Sequence, residues 1–203
     1  MSVIFGTTSA DLIAAAAASD SVFGLAGNDT LSSSFATADL HGGQNDDSLV
    51  VDFDYQIASD GTYPDTQWLL YGDDGNDTIT ASAAITGLNP FLSYDAGILP
   101  PIDTFIDGGN GNDSININID VDDTLFYDAF ISPITVNNIV SDLSGDNLVQ
   151  IGTSLYAEDA LSVINTTIDV GAGNDSVTVH SNSYHGNYTG EGNTTIILGD
   201  GNN

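Results

Sequence analysis

The 203 residues include 29 acidic side chains, no Lys or Arg and no Cys, giving a formal charge of −29 with 41% hydrophobic content. Such a chain has no cation to set against a nucleic-acid phosphate or an anionic membrane surface, and no thiol for a disulfide or a thiolate zinc site. Its apolar content is that of a packed domain rather than of an acidic disordered tail.

The choice of acid narrows the reading. Only Glu158 and Glu191 are glutamates; the other 27 acids are aspartates. Glutamate favours helices, whereas aspartate suits turns and short-reach metal loops. With Gly, Asn and Thr also abundant, the composition predicts an all-β chain. A solvated or halophilic surface would account for the charge alone. It would not account for acids that recur at one position of a repeat.

Residues 1–50 keep a nine-residue beat. Ile13, Val22, Leu31, Leu40 and Leu49 fall every nine residues, as do Asp11, Asp20 and Asp29, with Asp47 eighteen further on. Ala14 to Ala18 reads as a helix start on propensity alone. The register running through it favours a narrow coil instead. From Asp47 onward the beat lengthens: Asp77, Asp113, Asn147, Asp175 and Asn203 follow at 30, 36, 34, 28 and 28 residues. One turn per interval predicts one turn per coil of a wider solenoid, whose loops grow outward without disturbing the stacked strands. We therefore expect a single domain over 1–203, with nine-residue coils in 1–50 and coils of roughly 28–36 residues in 51–203.

The clearest copy of the turn is Phe105-Ile106-Asp107-Gly108-Gly109-Asn110-Gly111-Asn112-Asp113-Ser114-Ile115. Gly108 is turn position one, Gly111 position four and Asp113 position six. Two aliphatic columns bracket the copies: Val22, Leu40, Leu70, Ile106, Val140, Ile168 and Ile196 before the turn, and Leu31, Leu49, Ile79, Ile115, Val149 and Val177 after it. The following strands alternate. Ile115, Ile117, Ile119 and Val121 are separated by Asn116, Asn118 and Asp120, which puts apolar side chains on one face. Trp68 and the Phe126–Phe130 stretch add bulk that a narrow roll could not hold. Turn-rich loops are expected at Ser59–Asp65, between Asn89 and Pro101 around Phe91, Leu92 and Tyr94, at Ser132-Pro133, and from His180 to Gly192.

The spacing has a chemical reason. Glycines allow positive φ and turn carbonyls inward, and an aspartate two residues past the last glycine adds a carboxylate. Calcium takes six to eight oxygen ligands, more than one turn offers but within reach of two stacked turns. Strands stack about 4.7–4.9 Å apart, so a column of carboxylates repels itself until cations sit between them. Binding then becomes folding free energy. Candidate metal ligands are Asp20, Gly27 and Asp29; Gly43 and Asp47; Gly72, Asp73, Gly75 and Asp77; Gly108, Asn110, Gly111 and Asp113; Asp146 and Asn147; Gly171, Gly173 and Asp175; and Asp200. Asn147 and Asn203 keep an oxygen but lose the charge. Asn45 and Asp73 stand where the motif has glycine, and Asp73 is a ligand candidate in its own right.

The recurring Gly-Gly-x-Gly-Asn-Asp-x-aliphatic pattern at Gly108–Ile115 resembles the repeats-in-toxin (RTX) family. The resemblance implies a right-handed parallel β-helix or β-roll, with several Ca2+ ions bound between stacked turns by motif aspartates and turn carbonyls. It also implies export without an N-terminal leader. Met1–Gly6 has no basic segment, and Leu12–Ala18 is too short and too weakly apolar to cross a bilayer. The expected function is a secreted, calcium-stiffened structural protein at the cell surface, in a filament, surface layer or matrix, built by head-to-tail stacking. The alternatives are a calcium-binding module of a larger secreted enzyme, toxin or adhesin, and, less favoured, a lyase-like enzyme acting on extracellular polysaccharide. No metalloprotease motif or nucleophile elbow is present, and His41, His180 and His185 are the only histidines.

Overall fold

A computed structural model describes residues 2–56, 64–86, 100–142, without 124–133, and 144–203, without 158–161 and 186–190. Among these described residues fifteen strands follow one another: β1 Val3–Phe5, β2 Leu12–Ala14, β3 Ser21–Ala26, β4 Thr30–Ser33, β5 Thr37–Gln44, β6 Ser48–Gln56, β7 Thr66–Asp74, β8 Thr78–Thr86, β9 Ile102–Asp107, β10 Ser114–Asp123, β11 Ile134–Ser141, β12 Leu148–Ala157, β13 Ser162–Asp169, β14 Ser176–His185 and β15 Glu191–Ile197. The described residues contain no helix, and Ala14–Ala18 is the end of β2 and a bend.

Odd-numbered strands form one sheet of eight and even-numbered strands another of seven, each in sequential order and with every pairing parallel. The chain is thus a parallel β-solenoid in which each coil gives one strand to each sheet. The register measures the coils. Val3 pairs with Ser21, Ser21 with Asp39, Asp39 with Leu69, Phe105 with Ile139 and Asn137 with Asn165. The early coil is therefore eighteen residues long, and the nine-residue beat is half a coil. Successive beats alternate between the two sheets.

Alternation decides which side chains enter the core. In β10, Ile115, Ile117, Ile119 and Val121 are buried, while Asn116, Asn118 and Asp120 face solvent. Both aliphatic columns lie between the sheets, with Val22, Leu40, Leu70, Ile106, Leu31, Leu49 and Ile79 fully buried. Trp68 fills the first widened coil, packs edge-on against Phe53 and donates its indole N–H to the Phe35 carbonyl at 3.3 Å. Outside the core, Phe5, Phe23, His41 and Tyr71 stack in one column, with centroids 5.4, 4.5 and 4.5 Å apart.

One expected loop is corrected. His180–His185 belongs to β14, paired residue for residue with Gly152–Ala157 of β12. β14 ends its sheet, so Ser181, Asn182 and Ser183 face solvent and need no apolar alternation. The expectations for residues 59–63, 89–99 and 126–133, with Tyr188, lie outside the described residues.

Candidate metal-binding turns

Among the described residues the turns of the repeat motif lie on one edge of the solenoid, each between an odd strand and the even strand that follows it. At position six the side chains form a continuous row. The backbone N–H of each acid donates to the Oδ1 of its equivalent one coil on: Asp11 to Asp29, Asp29 to Asp47, Asp47 to Asp77 and Asp77 to Asp113, each at 2.7 Å. The row continues from Asp113 to Asn147, Asn147 to Asp175 and Asp175 to Asn203 at 2.8–2.9 Å. This pins one oxygen of each carboxylate and aims the other inward. Oδ2 of Asp29, Asp47, Asp77, Asp113 and Asp175 is buried without a hydrogen-bond partner. A buried, unpaired charged oxygen costs several kcal/mol unless it is neutralised, so each of these positions calls for a proton or a cation.

Burial pushes the carboxyls of Asp47, Asp77 and Asp113 up to about 6, about 7 and about 6, although the N–H each accepts acts against the rise. Neighbouring acids of the row add to it. Where calcium sits, the ion supplies the missing positive charge.

Position one gives the row its space. A Cβ added to Gly42 would meet Asp47 Oδ2 at 2.5 Å and the Gly72 carbonyl oxygen at 2.7 Å, and at Gly24 and Gly72 it would collide with the matching pair. A carboxylate from one coil and a carbonyl from the next thus converge where only glycine fits. Position four is glycine for a second reason. Gly111 has φ +145° and lies against the Gly75 carbonyl, leaving no room for a side chain. Asn45 and Asp73 take positive φ (76° and 73°) without being glycine, so the turn survives those replacements. Among the described residues no three acidic or histidine side chains are arranged to hold a metal. A cation here must therefore draw on carbonyls as well as carboxylates, which suits calcium's oxygen-rich shell.

The structure brings Asp29, Asp47, Asp77, Asp113, Asn147 and Asp175 into the row, beside Gly72 and Gly108 at position one and Gly27, Gly75, Gly111 and Gly173 at position four. Gly43, Asp73 and Gly171 hold position two; Asn110 and Asp200 hold position three, Asn110 in single parallel bridges to Asp74 and Ser144. Asp73, Asp146 and Asp200 are exposed rather than in the row. Asp20 is misplaced by the sequence reading. It lies on the opposite edge, where its oxygens accept the N–H groups of Ser2 at 2.8 Å and Ala17 at 2.9 Å. The Ser2 bond foremost holds its carboxyl below the usual range. The reason is the half-coil beat, which sends alternate aspartates to opposite edges.

A second row was missed. At position five the backbone N–H of Asn76, Asn112, Asp146, Asn174 and Asn202 donates to Oδ1 of Asp46, Asn76, Asn112, Asp146 and Asn174, one coil back, at 2.7–3.1 Å. It runs in the opposite sense to the inner row. Its signal was present: every fifth position from Asn28 to Asn202 is Asn or Asp.

The model for the RTX calcium-binding nonapeptide repeat matches in four copies, over residues 3–33, 69–84 and 103–116. The chain carries RTX calcium-binding repeats. No curated protein and no solved structure matches it. RTX repeats bind Ca2+ in multiple turns and are typical of secreted proteins. No described helix is long and apolar enough to cross a membrane.

Proposed function

We propose that this chain is a secreted structural protein whose solenoid is stiffened by calcium along the turn edge. The row of buried, unpartnered Oδ2 atoms carries the reading. In it, Asp29, Asp47, Asp77, Asp113 and Asp175 supply carboxylates and the neighbouring turn carbonyls complete each shell. The reading takes 1–203 as a single domain, which the sequential parallel pairing of the described strands in both sheets supports. The role is mechanical and not catalytic.

The finer proposal is head-to-tail assembly at the cell surface into a filament, surface layer or matrix. Its support is the edge at β15. Ile196, Ile197 and Leu198 are 42–49% exposed, although Ile196 belongs to the column that is buried in the other coils. An apolar, unpaired strand edge invites another strand. A contact between unlike ends builds open filaments. Electron microscopy in millimolar calcium is expected to show fibres that a chelator disperses; monodisperse particles in calcium would count against assembly. The same edge supports a second reading, a calcium-binding module whose further coils cover β15 in a longer product. Intact mass of the natural protein separates the two.

A further inference from the structure

The turn at 142–147 departs from the others twice. Position six is Asn147, whose Oδ1 keeps its place in the row by accepting from Asp113 N–H at 2.9 Å. Its other terminal atom is an amide nitrogen, which donates to the Val170 carbonyl at 3.4 Å. Asn147 therefore offers no free anionic oxygen to a cation. Position one, glycine in the five preceding coils (Gly6, Gly24, Gly42, Gly72 and Gly108), is here Asp142.

That aspartate is 97% buried and neither carboxylate oxygen has a hydrogen-bond partner. Its position is specific. A Cβ added to Gly72 would run into the carbonyl oxygen of the next position-one residue, Gly108. A Cβ added to Gly108 would instead run into Asp142 Oδ2, with Asp113 Oδ2 2.8 Å away. The Asp142 carboxylate thus stands where the other coils present a glycine carbonyl, beside the unpartnered oxygen of Asp113. Two buried carboxylates facing one gap, in a chain with no Lys or Arg, call for a proton or an outside cation. Asp107, Asp113 and Asp175 all act on Asp142 as like charges, so no neighbour supplies one.

We propose that Asp142 is a calcium ligand outside the repeat motif, and that with Asp113 it binds the ion of the gap between the Gly108 and Asp142 coils more tightly than one-carboxylate gaps bind theirs. Asn147 lines the following gap, against the Val170 carbonyl, so the acid of this turn faces the preceding gap instead. With Asp113 it makes a two-carboxylate site, whereas gaps lined by position-one glycines have one carboxylate and a carbonyl.

The inference rests on the reading that the position-six acids hold calcium, and the test separates the two. Bound calcium is counted by native mass spectrometry on the full chain as free calcium is lowered, with circular dichroism in saturating calcium as the check on folding. Asp142→Gly, which leaves this gap the one carboxylate and carbonyl of the regular gaps, is expected to lose the last-released ion of the wild-type chain while keeping the count at saturation. Asp120→Asn, an equal change of charge on the exposed face of β10, is expected to release its ions as the wild type does. Asp142→Gly with Asn147→Asp puts the acid in the following gap and is expected not to recover that retention. Should Asp142→Gly not fold, Asp142→Asn is read in the same way. Unchanged release in the Asp142 variant, or an equal change in Asp120→Asn, overturns the proposal while leaving the row intact. A wild-type chain that binds no calcium overturns the underlying reading as well.

Discussion

One atom separates aspartate from asparagine at position six, and it decides what the turn needs. Either residue offers the Oδ1 that accepts the N–H of the preceding coil. Aspartate adds a buried oxygen without a partner, while the amide nitrogen of Asn147 finds the Val170 carbonyl. Asp77→Asn is therefore expected to raise the melting temperature of the calcium-stripped chain and to shrink the rise that calcium produces, as calorimetry in both states would show. The same oxygens set the pH response. The folded carboxyls of Asp47, Asp77 and Asp113 lie at about 6 to 7, above an unfolded value of about 3.9. Between those values the folded state holds more protons, so stability falls as pH rises. The calcium-stripped chain is expected to be most stable near pH 4, to lose stability from there up to pH 6 to 7 by denaturant titration, and to be restored by calcium at pH 8. At this scale the acids of the row were legible because they recur. Asp142 was not, because it breaks the recurrence, and its meaning comes only from the Gly108 carbonyl whose column it enters.

Among the elements, strands and turns fail in different ways. Ile117→Ala in β10 removes a fully buried side chain between two sheets and is expected to cost about 2–5 kcal/mol in calcium. Gly111→Ala meets both a φ of +145° and the Gly75 carbonyl, so it is expected to lose at least about 2 kcal/mol by urea unfolding in calcium. Asn112→Ala, on the exposed row, removes one N–H acceptor and is expected to cost about 1 kcal/mol. The strands were readable from period-two patterning wherever both neighbours exist, as in β10. β14 was not, because a strand at the end of a sheet can turn polar residues to solvent. The eighteen-residue coil was hidden for a related reason. On the nine-residue beat Leu31 and Leu40 are successive copies, and strand pairing assigns one to each sheet.

For the whole molecule the governing fact is 29 acids with no Lys or Arg to balance them. Core packing and like-charge repulsion oppose one another, and divalent cations decide between them. Chelation at pH 8 is expected to abolish most β-sheet circular dichroism in one cooperative step. Sodium chloride at 1 M, with a Debye length near 3 Å, is expected to restore part of it. An unchanged spectrum in excess chelator would sink the calcium reading. The outward loops vary while both rows persist, because the rows are set by turn position and not by coil length. Coils of eighteen to thirty-six residues join the same rows.

The two turn rows have one more consequence. The inner N–H groups point toward later coils and the outer ones toward earlier coils, so their bond dipoles oppose and largely cancel. An α-helix aligns its peptide dipoles and gathers partial charge at its tips. This edge does not, and a stack of such turns can be lengthened coil by coil without its poles becoming steadily more polarised.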